Sequence, residues 1–157
     1  MQTFLPYQSY DESAGSLDKK RCWKQVVETK QILCKLQYEC VPDDWKTSKS
    51  WTSQGWSNHP AVKMWVGYET SLANYYNVFL EYCLNVHKIN TTMAKLQPDR
   101  RETTPWWLGD ESFHRAMRAR LIEKDRDFYL PRFPNDEGYN GSMYWWPVME
   151  TKTFKTI

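Results

Sequence analysis

Seven apolar residues, Val62, Trp65, Leu72, Tyr76, Phe79, Cys83 and Val86, recur at steps of 3, 7, 4, 3, 4 and 3. Positions so spaced fall on one side of a helix, whereas a strand would scatter them over both faces. Asn58 can cap the first turn, and Pro60 is tolerated there because a first-turn N–H has no partner to lose. The pattern therefore predicts one helix from Asn58 to about His87, roughly 42 Å long at 1.5 Å per residue. Gly67 weakens it locally and permits close packing. A spine of this length points to an all-α fold.

Two further helices complete the expected core. Gly109 and Asp110 form a turn and an N-cap, and behind them Phe113, Met117 and Leu121 make an apolar stripe at i, i+4, i+8. Glu111, Arg115 and Arg118 fall on the opposite side, with His114 at its flank and Trp106 and Trp107 just before the cap. A carboxylate, guanidiniums, an imidazole and indoles so close together suit a phosphate grip and a stacking surface; a solvated charged face with a tryptophan-anchored turn would look the same. Earlier in the chain, Ser13 or Ser16 can cap a helix running to about Leu36. Lys19, Lys20, Arg21, Lys24, Lys30 and Lys35 make that helix basic, and Lys24, Gln25 and Glu28 share part of one face. The expected architecture is a compact three-helix domain spanning residues 1–157, with long aromatic-rich loops.

Those loops carry much of the unusual composition: nine Trp, ten Tyr and six Phe in 157 residues. Residues 40–57, with Trp45, Trp51 and Trp56, read as one long loop, and long loops in small domains are often functional. Its indoles serve either as stacking platforms or as lids over the core. His59 either supports the helix start or faces a site. After Tyr129, Pro131, Pro134 and Asn140-Gly141 are turn chemistry, and Tyr144-Trp145-Trp146-Pro147 is expected to pack back on the helices.

Net charge is only +2, so any contact with a polyanion must come from local patches. Cys22, Cys34, Cys40 and Cys83 show no C-x-x-C pair, and the three histidines have no metal-ligand spacing. No metal, cofactor or membrane is expected. The start of the chain lacks the features of a signal peptide, and the protein is expected to be a cytoplasmic monomer.

Taken in order, Leu17-Asp18-Lys19-Lys20-Arg21, Lys24-Gln25, Glu28 and Ile32-Leu33, then Asn58-His59-Pro60, then Leu108-Gly109-Asp110-Glu111 with His114-Arg115, Arg118, Leu121, Lys124-Asp125 and Phe128-Tyr129, and a closing Trp-Pro, resemble the pyrimidine dimer DNA glycosylase family. These are the phage endonuclease V-like repair enzymes and their bacterial relatives. The resemblance runs from Met1 to Pro147 and implies a compact helical fold. It also implies a chemistry in which the α-amino group at the chain start attacks C1′ of a damaged nucleotide, releases the base and leaves a Schiff base. α-Amino groups titrate at about 8, which leaves a useful neutral fraction at pH 7. A glutamate directly after an arginine on the first helix assists as acid and base.

Two departures stand out. Registered on Trp23 and Ile32-Leu33, that arginine–glutamate pair aligns with Lys24-Gln25, and an amide cannot take a proton at neutral pH. The chain also begins Met1-Gln2-Thr3 where the family exposes a threonine, and Gln2 is too large for easy removal of Met1. Met1 can still offer its amine, and Glu28 or Glu111 can replace the missing carboxylate. The resemblance thus implies Met1, Gln25, Glu28, Glu111 and His114 as the catalytic set. Arg21, Lys24, His59, Trp65, Trp107, Arg115 and Arg118 would bind duplex DNA with a damaged or modified base. Two other readings stay open: a non-catalytic binder of modified or damaged DNA, with Gln25 reading a base edge, and an enzyme acting on a nucleotide or nucleoside.

Overall fold

A computed structural model describes residues 1–156. The fold is mostly helical, about half of those residues lying in helices, but the count of three is corrected. The α-helices are α1 (Tyr10–Ser16), α2 (Lys19–Lys35), α3 (Lys49–Thr52), α4 (Pro60–Lys63), α5 (Glu69–Asn85), α6 (Glu111–Lys124) and α7 (Arg126–Tyr129). Short 3-10 helices cover Asp43–Thr47 and Tyr139–Ser142, and two strands, β1 (Trp145–Val148) and β2 (Thr153–Thr156), form an antiparallel hairpin. The described residues group into two compact units: residues 1–3 with 19–105, and residues 4–18 with 106–156. No helix among the described residues is long and apolar enough to cross a membrane.

The first unit is organised by α2 against α5. The Cys22 thiol lies 3.8 Å from the Phe79 carbonyl oxygen and 3.6 Å from the Cys83 sulfur, and the Tyr75 hydroxyl donates to Gln25 Oε1 at 3.1 Å. The apolar spacing found α5 but not its start. His59, not Asn58, caps α4 by accepting the Ala61 N–H at 3.0 Å, and the helix does not run on. Gly67 adopts φ +84, a left-handed conformation that ends the first turn, and Glu69 takes the Gly67 N–H at 2.9 Å. Propensity spread over a long window says little about one glycine that leaves the helical region. The 40–57 loop is likewise corrected, since it holds a 3-10 turn and α3. Trp45 is buried, Trp51 half-buried and Trp56 exposed.

In the second unit the cap on α6 forms as expected, with Asp110 accepting the Phe113 N–H at 3.1 Å behind Gly109 at φ +98. Phe113, Met117 and Leu121 are buried, each contributing about 1.5–3 kcal/mol on removal from water. The opposite side is not a solvated face, because His114 and Arg118 are buried as well. The helix ends at Lys124, and the side chain of Asp125 starts α7 by accepting the Phe128 N–H at 3.3 Å. At the other end Ser9, not Ser13 or Ser16, caps a separate helix, α1, and α2 begins only at Lys19. The tail does fold back, as a hairpin whose Trp145 and Phe154 pair edge-on beside Trp106.

Candidate active site

The first three residues are held by three hydrogen bonds. The Gln2 N–H donates to Glu28 Oε2 at 2.9 Å, the Thr3 N–H donates to Gln2 Oε1 at 2.7 Å, and Trp65 Nε1–H donates to Thr3 Oγ1 at 3.0 Å. Gln2 and Thr3 are buried, and of the polar atoms of their side chains Gln2 Nε2 alone has no hydrogen-bond partner among the described residues. Met1 instead stands half-buried at a cavity of about 430 Å³, lined also by Glu28, Gln31, Lys35, Lys49 and Trp56. Its amine is one residue back from the backbone nitrogen that touches the Glu28 carboxylate, and Met1 and Glu28 both line the cavity.

Glu28 is the unusual group. Its side chain is 12% exposed, yet its close donor is one backbone N–H, and its cationic neighbour, Lys24 Nζ, is 3.8 Å away and 63% exposed. His59 belongs to the same neighbourhood. Burial lowers its pKa first, the positive charge of the chain start lowers it further, and the Glu28 carboxylate pushes the other way. His59 Nδ1 is occupied by the Ala61 N–H, and its ring lies against Trp56 with centroids 5.5 Å apart.

Gln25 is not part of this cavity. It points into the core and accepts from Tyr75, although it lies only three residues along α2 from Glu28, about 60° round the helix. Arg21 is half-buried on α2. Trp65 and Trp107 are wholly buried, Trp65 anchoring Thr3 and Trp107 packing on Phe113 with centroids 5.1 Å apart. Neither ring has a face open to a base, so the stacking expected of them does not fit this geometry.

The α6 residues form a closed network. Arg118 Nε–H donates to Asp136 Oδ2 at 2.8 Å, one Nη donates to the Pro6 carbonyl at 2.7 Å, and the other pairs with Glu111. Arg115 donates to Asp136 Oδ1 at 2.9 Å and to the Asn135 carbonyl at 2.8 Å, while its guanidinium stacks 4.3 Å from the Tyr139 ring centre. His114 Nδ1–H donates to the Leu5 carbonyl at 2.8 Å, and Nε2 accepts the Gly109 N–H at 2.9 Å. Both ring nitrogens are used in the neutral form, and burial pushes the pKa down. Glu111, His114, Arg115 and Arg118 are therefore engaged with one another and with the 4–6 arm and the 135–139 turn, an arrangement suited to holding a fold.

Gln31, Lys35, Lys49 and Trp56 were not singled out as site residues from the sequence. Lys24, Glu28, Gln31 and Lys35 follow i, i+4, i+7, i+11 along α2, a stripe that helical spacing alone would have revealed. In the sequence Trp56 reads only as one of three loop indoles, platform or lid, and it is tertiary folding that brings it and Lys49 to the cavity beside that stripe. Among the described residues no cluster of His, Cys, Asp and Glu is arranged to hold a metal ion.

The sequence model of one family, pyrimidine dimer DNA glycosylase, matches residues 1–93. That span contains Met1, the whole of α2 with Glu28, and the loop carrying Trp56 and His59. No curated protein and no solved structure matches the chain.

Proposed function

The chain belongs to the pyrimidine dimer DNA glycosylase family, and from that premise we propose that it is a DNA N-glycosylase with lyase activity, acting on damaged or modified pyrimidines through the Met1 amine. The observation that carries this reading is the Gln2 N–H on Glu28 Oε2 at 2.9 Å, which sets an enclosed carboxylate beside the chain start at the wall of a cavity. Glu28 takes the role that Gln25 cannot. The alternative of an amide reading a base edge has less support, because Gln25 is bonded to Tyr75 inside the core.

The neutral amine adds to C1′ of the damaged nucleotide as the N-glycosidic bond breaks, and the base departs with its electron pair and gains a proton. Glu28 accepts the proton shed by the attacking nitrogen. It then returns a proton to the ring oxygen, so that the sugar opens to a Schiff base on Met1. Loss of a C2′ proton expels the 3′ phosphate and cuts the strand. Lys35 and Lys49 on the cavity wall, with Lys24 beside Glu28 and Arg21 one turn earlier, supply positive charge for flanking phosphates. The partner is duplex DNA with a damaged or modified base, met by a monomer in the cytoplasm.

Borohydride reduction with abasic-site duplex tests this directly. The expected product is a covalent protein–DNA adduct that maps to the first peptide and disappears when the α-amine is methylated beforehand. An adduct on any lysine, or none at all, overturns the assignment of Met1.

A further inference from the structure

A tryptophan with a positive φ, fixed from two sides and left open to solvent, asks for a reason. Trp56 has φ +71, a region that bulky side chains rarely occupy and that persists where surrounding structure enforces it. The enforcement is visible. Lys35 Nζ reaches from α2 to donate to the Ser53 carbonyl at 2.7 Å, and the Gly55 N–H donates to Ser53 Oγ at 3.1 Å. From the other side the His59 N–H donates to the Trp56 carbonyl at 2.9 Å, and the His59 ring leans on the indole. For all this anchoring the residue is 61% exposed, whereas Trp45, Trp65, Trp107 and Trp146 are buried. It stands on the wall of the cavity that Met1 and Glu28 also line, together with Lys49, which is exposed and forms no ion pair among the described residues.

We infer that Trp56 is the base-binding residue of this site, an aromatic platform on which the base of the nucleotide presented to Met1 stacks while Lys49 meets an adjoining phosphate. The inference rests on the proposed amine chemistry and adds what holds the target. Every base has a π face, so such a platform accepts an unstacked base of any identity and favours nucleotides whose own stacking is already weakened by damage. The indole needs no movement to serve, because the strained backbone already holds it outward.

The test separates base from sugar. Wild type, Trp56→Ala and Trp56→Phe are assayed by kcat/KM on a duplex with one thymine dimer, and by borohydride trapping on the same duplex with an abasic site in its place. Trp56→Ala should lose about 5- to 150-fold more on the dimer duplex than on the abasic one, the range expected for one stacked base. Trp56→Phe, which retains a ring, should recover most of that difference. Equal losses on both duplexes, or no loss on either, overturn the platform, the first because it marks a merely structural residue. A wild type that traps abasic DNA but ignores the dimer duplex also overturns it. A wild type that traps neither overturns the amine chemistry beneath it.

Discussion

Glu28 and Asp136 are both enclosed carboxylates, one in each unit, and they are neutralised in opposite ways. Each oxygen of Asp136 receives a guanidinium N–H, at 2.9 Å from Arg115 and 2.8 Å from Arg118. Glu28 receives one backbone N–H at 2.9 Å and a lysine 3.8 Å off, and it looks into open space. Removing a charge from water is costly, and close pairing offsets that cost. Asp136 is matched as a fold would require. Glu28 is matched far less closely, which is a poor way to build a core and the arrangement that the proposed reaction calls for. How completely a buried charge is matched thus separates the two regions better than residue type, since both are rich in Glu, Arg or Lys.

The contrast is broken most easily at Glu28. Glu28→Gln keeps an acceptor for the Gln2 N–H and removes the proton carrier, so trapping and cleavage should fall about 10²- to 10⁴-fold with little change in melting temperature. A large drop in melting temperature with turnover intact would put Glu28 with Asp136. Asp136→Ala should do the reverse. It takes from the buried Arg118 guanidinium one of its two carboxylate partners, leaving Glu111, and should cost about 1–3 kcal/mol in denaturant unfolding; a loss within about 0.5 kcal/mol, the range of ordinary surface changes, would show the network to be ornamental.

The smallest effect sharpens the comparison through pH. His114 is neutral in the folded unit, because burial lowers its pKa from the ordinary 6.5, outweighing the rise from its bond to the Leu5 carbonyl. The unfolded chain therefore binds this proton at higher pH than the folded one does. The contribution of His114 is fully present above about pH 6.5 and is lost as pH falls through the lower, folded value. The slope for one histidine is at most about 1.4 kcal/mol per pH unit. His114→Gln should flatten part of it in denaturant midpoints measured from about pH 7 down to about pH 5. His59, shifted the same way, leaves a remainder. An unchanged slope would mean that His114 already carries its proton in the fold.

Much of this was legible beforehand where the information is local. The Gly109-Asp110 cap, the Phe113-Met117-Leu121 stripe and the body of α5 follow from neighbours within a few residues. The family was legible from short segments kept in order. What did not show was rotation and reach. A basic helix such as α2 does not say which side turns inward, so Gln25, picked out by the family register, and Glu28, named as its substitute, both stay open until the fold shows one bonded to Tyr75 and the other to the Gln2 N–H. Arg115 and Arg118 read as phosphate ligands because their partner, Asp136, lies in a turn far along the chain. Gly67 stops a helix through its own conformation, and the β1–β2 hairpin depends on pairing across a turn with Lys152 at φ +52. Those are tertiary outcomes, and periodicity does not reach them.

The tucked second residue has a chemical corollary. Were Met1 trimmed, the nitrogen that now reaches Glu28 would become a primary amine in direct ion-pair contact with it. A leading glutamine, however, closes on its own carboxamide, expelling ammonia and leaving a lactam that has no nucleophilic lone pair. For the amine chemistry proposed above, loss of Met1 would therefore remove the nucleophile rather than uncover a better one.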